Sequence, residues 1–173
     1  IEDYIKFIPL NPWYRFYFDD FSFFDYGGTK ESTVNEIKKF SSRDADGYLK
    51  MLESSKSIYE IGYDKLATFP FHDFSNMVKI VPDMIKLRSF TNVYNHVSKY
   101  IKNENLRKAF SIQPLLVGGN PFTTTSIYCL IHYLERKDGI HFPLGGTAQI
   151  VNQLKLLLTK KNIDIKNDQS LNE

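Results

Sequence analysis

FSIQPLLVGGNPFTTTSIYCLIHYLERKDGIHFPLGGT, residues Phe110 to Thr147, carries two Gly-Gly pairs with one helical period and one short apolar run between them. Gly118 and Gly119 permit positive φ and close backbone approach. Pro121 sets an extended entry, and the run from Thr123 to Ser126 offers several N-caps. A helix is expected next, because Ile127, Leu130, Ile131 and Leu134 share one face at helical spacing. Glu135, Arg136 and Lys137 are expected to end it as a charged, solvated terminus, and Asp138-Gly139 to stop it. Ile140 to Pro143 reads as a brief strand, Leu144 to Thr147 as a tight turn, and Thr147 as the cap of a following helix.

Working outward, Ile1 to Leu10 is apolar, and Asn11-Pro12 marks a turn. Alternation over Tyr14 to Asp19 and again over Ser22 to Tyr26 predicts a β-hairpin that reverses at Asp20-Phe21. Thr33 and Glu36 have capping-box spacing ahead of a short helix through Phe40. Ser42-Arg43-Asp44 opens a second helix, with Tyr48, Leu49, Leu52, Tyr59, Tyr63 and Leu66 in approximate phase to Ala67. Thr91 to Ile101 and Asn103 to Val117 read as two more helices, the second capped by Asn103 and kinked at Pro114. Ala148 to Lys161 is the last, with Ile150, Val151, Leu154, Leu157 and Leu158 as its apolar positions. The expected class is α+β, mostly helical with a small antiparallel sheet.

The stretch FPFHDFSNMVKIVPDMIKLR, residues 69–88, is more apolar than an ordinary helix surface. Pro70 and Pro82 divide it into two short amphipathic pieces. Phe69, Phe71, Phe74, Met77, Ile80, Met84 and Ile85, with Lys79 and Lys86 beside them, are candidates for contact with one leaflet of a bilayer. From periodicity alone, a packed pair of core helices is the simpler reading.

At 173 residues and 42% hydrophobic content the chain can bury a core. A net charge of +2 singles out no acidic partner. The lone Cys129 leaves no internal disulfide and fits a reducing compartment, and no long apolar run suggests a transmembrane helix. His72, His96, His132 and His141 lack metal-ligand spacing and have no nucleophile elbow near them, so a structural role is expected and no metal. Neither Gly-Gly pair has the G-x-G-x-x-G spacing of a dinucleotide site. Asp19-Asp20 sits where a turn is expected. Lys38-Lys39 and Lys160-Lys161 are isolated pairs, which disfavours nucleic acid. With 14 Phe and 11 Tyr, the chain has rings enough to wall a hydrocarbon tunnel or to fill a dense core.

The central stretch resembles the bacterial and fungal phytoene desaturases. The resemblance rests on Leu106-Arg107, Ala109-Phe110-Ser111, Leu115 to Phe122, Ser126-Ile127-Tyr128, Leu130-Ile131-His132, Leu134-Glu135-Arg136, Phe142-Pro143 and Gly145-Gly146-Thr147. It extends at lower density through Pro12 to Tyr17, Phe40, Arg43-Asp44, Gly47-Tyr48 and Val97 to Ile101. It implies a two-domain FAD-dependent oxidoreductase of carotenoid biosynthesis, cytoplasmic and peripheral to the membrane, that dehydrogenates phytoene or a related C30 or C40 isoprenoid. Residues 1–162 would then be part of its substrate-binding and membrane-associating domain, and 163–173 the start of the strand returning to the FAD domain. The chain would be an internal fragment, inactive alone.

By the same resemblance Asn120, Pro121, Phe122, Phe142, Pro143, Gly145, Gly146 and Thr147 are substrate- or flavin-proximal candidates, while no catalytic residue is assigned. For the Gly145-Gly146 turn, close approach to a ligand and a plain strand-to-helix turn stand even. For residues 69–88 the resemblance brings the membrane and core readings level. Ser75-Asn76 and Lys79 stand where several relatives carry an Arg-Asp pair and a further Arg, which puts any role of those groups in doubt here. The alternative function is a non-catalytic carotenoid- or lipid-binding domain without a flavin half.

Overall fold

The computed structural model describes residues 4–65, 82 and 90–166. All the bilayer candidates from Phe69 to Lys86, and the Ser75-Asn76 and Lys79 departures, lie outside them. The fold is α+β, mostly helical, with two small antiparallel sheets among the described residues, and it divides into two compact units.

The larger unit, Asn11–Gly139, begins with the expected hairpin. Strands β2 (Tyr14–Tyr17) and β3 (Phe23–Tyr26) pair antiparallel, with Phe16 opposite Phe24 and Tyr14 opposite Tyr26. The turn is held by Asp20, whose carboxylate accepts from the Ser22 amide at 3.0 Å. Phe24 and Tyr26 face inward and are fully covered, whereas Tyr17 and Phe23 point outward.

Helix α1 (Lys30–Phe40) starts four residues earlier than the capping-box spacing suggests. Thr29 is its cap, accepting from the Ser32 amide at 3.1 Å. Thr33 is instead buried inside the first turn, and its hydroxyl donates to the Gly27 carbonyl. A second hydroxyl four positions upstream was the competing cap, and it wins because the chain leaves the hairpin at Gly27-Gly28.

Helix α2 (Ser42–Tyr59) is the axle of this unit, packing against α1, α3 (Val93–Tyr100) and α5 (Leu130–Asp138). It continues as a π-helical turn, Glu60–Lys65. Its buried face is Tyr48, Met51, Leu52, Ser55, Ile58 and Tyr59. Leu49 and Tyr63, expected in that face, are exposed. Near the start of α2, Asp44 is buried and accepts from the Lys102 and Asn103 amides at 2.8 and 2.7 Å, which satisfies the reversal between α3 and α4 (Glu104–Phe110). Asn103 caps α4 as expected. That helix ends at Phe110, and Pro114 lies in a separate 3-10 turn, Gln113–Val117, rather than at a kink.

The smaller unit comprises Ile1–Leu10 and Ile140–Glu173. Strand β1 (Phe7–Pro9), not foreseen as a strand, pairs with β4 (His141–Pro143). The next turn closes with the Gly146 amide donating to the Pro143 carbonyl at 3.0 Å. Its third residue, Gly145, has φ +88°, as a type II turn requires. Helix α6 (Ala148–Lys160) follows, but the Thr147 side chain makes no capping bond. None of its residues is buried, and Val151, Leu154, Leu156 and Leu158 are exposed. Residues 163–166 are in neither helix nor strand.

Gly47 tests the packing at the α2 axle. A Cβ there would lie 2.1 Å from the Tyr100 carbonyl oxygen, a backbone atom that cannot swing aside. Gly47→Ala is therefore expected to cost about 2 kcal/mol through overpacking, read as a lower denaturant midpoint at unchanged slope.

Candidate functional site

The loop from Gly118 to Thr125 is held on the start of α3. Asn120 accepts the Phe122 amide on its side-chain oxygen at 2.9 Å and the Thr124 amide on its carbonyl at 2.8 Å. Asn92 caps α3 through its Oδ1 and donates its amide to the Phe122 carbonyl at 2.7 Å. The Val93 and Tyr94 amides donate to Thr124 and Pro121 carbonyls, both at 3.0 Å. Gly118 has φ +75°, and a Cβ on Gly119 would meet the Thr124 hydroxyl at 2.7 Å, so both glycines are needed where the sequence reading put them.

Against this loop lies a cleft of about 400 Å³. Pro121 and Phe122 form one wall, and Tyr94 lies tilted against Phe122 with ring centroids 4.7 Å apart. Phe16 and Phe18 from the hairpin form another wall. The floor comes from α4 and the turn after it: Asn105, Lys108, Ala109, Ile112 and Leu115. Of the candidates on this loop, Pro121 and Phe122 face the cleft, while the Asn120 side-chain oxygen is engaged in shaping the turn. The α4 contribution was missed, although Asn105, Lys108, Ala109 and Ile112 stand at helical spacing.

The other candidates belong to the smaller unit. Phe142, Gly145 and Thr147 are exposed, Gly146 is half-buried and Pro143 is buried. Phe142 pairs opposite Ile8.

The helix between the Gly-Gly pairs departs most from expectation. Ser126 to Cys129 is a 3-10 turn capped by Thr125, and α5 begins only at Leu130. Ile127, Leu130, Ile131 and Leu134 are half-buried, and the covered side chains are Ser126, Cys129, His132 and Glu135. The reason is that aromatic rings face this side and polar groups find partners among them. The buried His132 accepts from Gln113 on Nδ1 at 3.1 Å and donates from Nε2 to the Phe110 carbonyl at 2.9 Å, which fixes a neutral tautomer. Burial lowers its pKa to about 4. His96 is likewise lowered to about 4 by burial, with Ser54 3.3 Å from its Nε2. His141 is exposed, and His72 lies outside the described residues.

Glu135 and Arg136, expected to be solvated, are the second correction. Arg136 donates from Nε to the Tyr48 hydroxyl at 2.8 Å and from a terminal nitrogen to the Gly28 carbonyl at 2.7 Å. Its other terminal nitrogen donates to the Thr33 hydroxyl. The guanidinium lies 4.5 Å from the Trp13 ring centroid and 4.8 Å from that of Tyr26, a cation-π box. Glu135 is only 6% exposed and accepts from the Tyr14 hydroxyl at 3.0 Å. Burial pushes its carboxyl up to about 7, against the pull of Tyr14 and Arg136. Lys137 donates to the Tyr59 hydroxyl at 3.0 Å.

Burial pushes the Cys129 thiol up to about 12, so it is no nucleophile at neutral pH. Among the described residues no group of three His, Cys, Asp or Glu is placed to hold a metal. A dinucleotide cofactor needs a buried parallel strand running through a glycine turn into a helix N-terminus. The described strands are antiparallel pairs, and β4 ahead of α6 is a three-residue strand with an exposed Phe142, so these residues do not fit FAD. What the described site provides is walls for an apolar ligand.

No family model matches the chain. It is 42% identical over 159 residues to a lycopene-forming phytoene desaturase of Pseudescherichia vulneris, covering 92% of this chain and 32% of that protein. A lycopene-forming phytoene desaturase of Pantoea ananas is 42% identical over 87% of this chain and 31% of its own length. A neurosporene-forming phytoene desaturase of Rhodobacter capsulatus is 30% identical over 98% of this chain and 32% of its own. The chain thus spans about a third of the length of the curated relatives it matches.

Because the folded pKa of Glu135 is raised, its contribution to stability is full below about 4.5 and is lost as pH rises through about 7. The two buried histidines run the other way, gaining stability as pH rises from about 4 to 6.5. Glu135→Gln isolates the carboxyl. The stability of the native chain minus that of Glu135→Gln should fall by on the order of 3 kcal/mol between pH 4.5 and 8, measured by urea denaturation at each pH.

Proposed function

The chain belongs to the phytoene desaturase family, and from that premise we propose that it forms the substrate-holding part of a flavin-dependent carotenoid desaturase, which dehydrogenates phytoene or a related isoprenoid. The observation that carries this reading is identity of 42% sustained over 92% of the chain. The cleft beside Phe122 supports it, being an apolar, ring-walled space suited to a hydrocarbon.

In this reading residues 1–162 belong to the substrate- and membrane-facing domain, and 163–173 lead toward the flavin domain. Since the described residues do not fit FAD, the cofactor is held by parts of a longer protein. Bound flavin supplies the oxidising chemistry of the reaction. This chain's residues bind and orient: Phe16, Tyr94 and Phe122 wall the hydrocarbon, Asn92 and Asn120 keep that wall in place, and the packed rings exclude water. Phe142, Pro143, Gly145, Gly146 and Thr147 are assigned to the side of the smaller unit that approaches flavin or substrate, and the exposed apolar face of α6 to packing against the flavin part.

Among the described residues no helix is long and apolar enough to cross a membrane. We assign the protein to the cytoplasmic membrane surface, with Phe69, Phe71, Phe74, Met77, Ile80, Met84 and Ile85 entering one leaflet and Lys79 and Lys86 at its headgroups.

The test is expression of the complete reading frame that contains this chain in a host that accumulates phytoene. Conjugated desaturation products are expected. Phe122→Asp, at a position 58% exposed and so tolerant of change, should lower conversion by about tenfold by placing a charge against the hydrocarbon. A flavin-loaded, full-length protein that leaves phytoene unchanged overturns the assignment.

A further inference from the structure

The cleft changes character along its length. At one end stand Asp19, Asn105 and Lys108, and the Asn105 side chain interacts with Asp20 of the same hairpin turn. Lys108 also pairs with Glu104 at 3.3 Å. Ala109 sits in the middle, with too small a side chain to fill the space. Ile112, Leu115 and Phe122 form the other end, and Leu115 and Phe122 are each 58% exposed. From residue 105 to 109 the rise of α4 carries the wall about 6 Å, and the chain leaves the helix at Phe110 before Ile112 and Leu115 add to the floor. Apart from the buried Ser111, the floor therefore turns from polar to apolar over a distance much shorter than a long polyene. A volume of about 400 Å³ lies toward the low end of small-molecule sites, enough for one end of such a chain and not for the whole of it.

We propose that this cleft is an end-stop for the isoprenoid chain, which sets how much of the substrate extends from it toward the reacting centre. The proposal rests on the desaturase reading and names what that reading leaves open, the determinant of chain length. A chain end enters past Leu115 and Phe122, lies against Ile112 and Ala109, and halts where Asn105, Lys108 and Asp19 begin. A further methyl-branched unit would strip water from those polar groups without replacing their hydrogen bonds. The stop is thus chemical, set by the desolvation of polar groups, and Ile112 and Asn105 are specificity-determining residues.

The experiment uses the full-length protein in two hosts, one supplying C40 phytoene and one its C30 counterpart, diapophytoene. Ile112→Phe shortens the cleft at a half-buried position, and Asn105→Leu moves the stop back. The shortening variant should raise the ratio of C30 to C40 conversion by about tenfold, the scale on which an apolar pocket discriminates one or two carbons, and Asn105→Leu should shift it the opposite way. An unchanged ratio, or equal loss on both substrates, overturns the end-stop while leaving the desaturase assignment intact. A native protein that converts neither substrate overturns both.

Discussion

The guanidinium of Arg136 is the interaction on which the larger unit depends. One side chain on α5 reaches the hairpin exit at Gly27-Gly28, the first turn of α1 at Thr33 and the middle of α2 at Tyr48. Its planar fork suits this, because separate N-H groups can address separate elements while the faces stack on Trp13 and Tyr26. The charge is met by carbonyls, hydroxyls and ring quadrupoles, so it is half-buried without being orphaned. Lysine, a single point donor, has no equivalent geometry.

From that centre, the packed core reaches to the cleft. Phe110 joins the two regions: its ring packs edge-on against Phe24 and Tyr26 and stacks on Tyr48, while its carbonyl receives His132. One residue earlier on α4, Ala109 is on the cleft floor. The floor is therefore continuous with the buried core, and the Pro121-Phe122 wall is a loop held by side-chain amides. A ligand would meet one surface built on the core and one built on a hydrogen-bonded loop.

Much of this was legible locally. The hairpin followed from alternation, the α4 cap from Asn103, the helix stop from Asp138-Gly139 and the second turn from Gly145-Gly146, because each depends on residues within a few positions of one another. Long-range effects were not legible. Strand β1 exists only because β4, more than a hundred residues later, pairs with it. Helix α5 was read by its Leu and Ile positions, yet its covered side is Cys129, His132 and Glu135, since the rings and the carbonyl that receive them come from the hairpin and α4. For the same reason Glu135 and Arg136 looked like a solvated terminus. The candidate loop was identified by its motif, but nothing in Asn120-Pro121-Phe122 announces Tyr94, Ile112 or Leu115 as its companions.

Cys129 has a consequence of a different kind. It is the single cysteine of the chain, fully covered, and its thiol is held protonated in the core. Alkylating reagents need both access and a thiolate, so the folded molecule withholds both at once. Nature has in effect supplied a stopwatch: the rate at which this sulfur becomes labelled counts openings of the core itself, without any added probe.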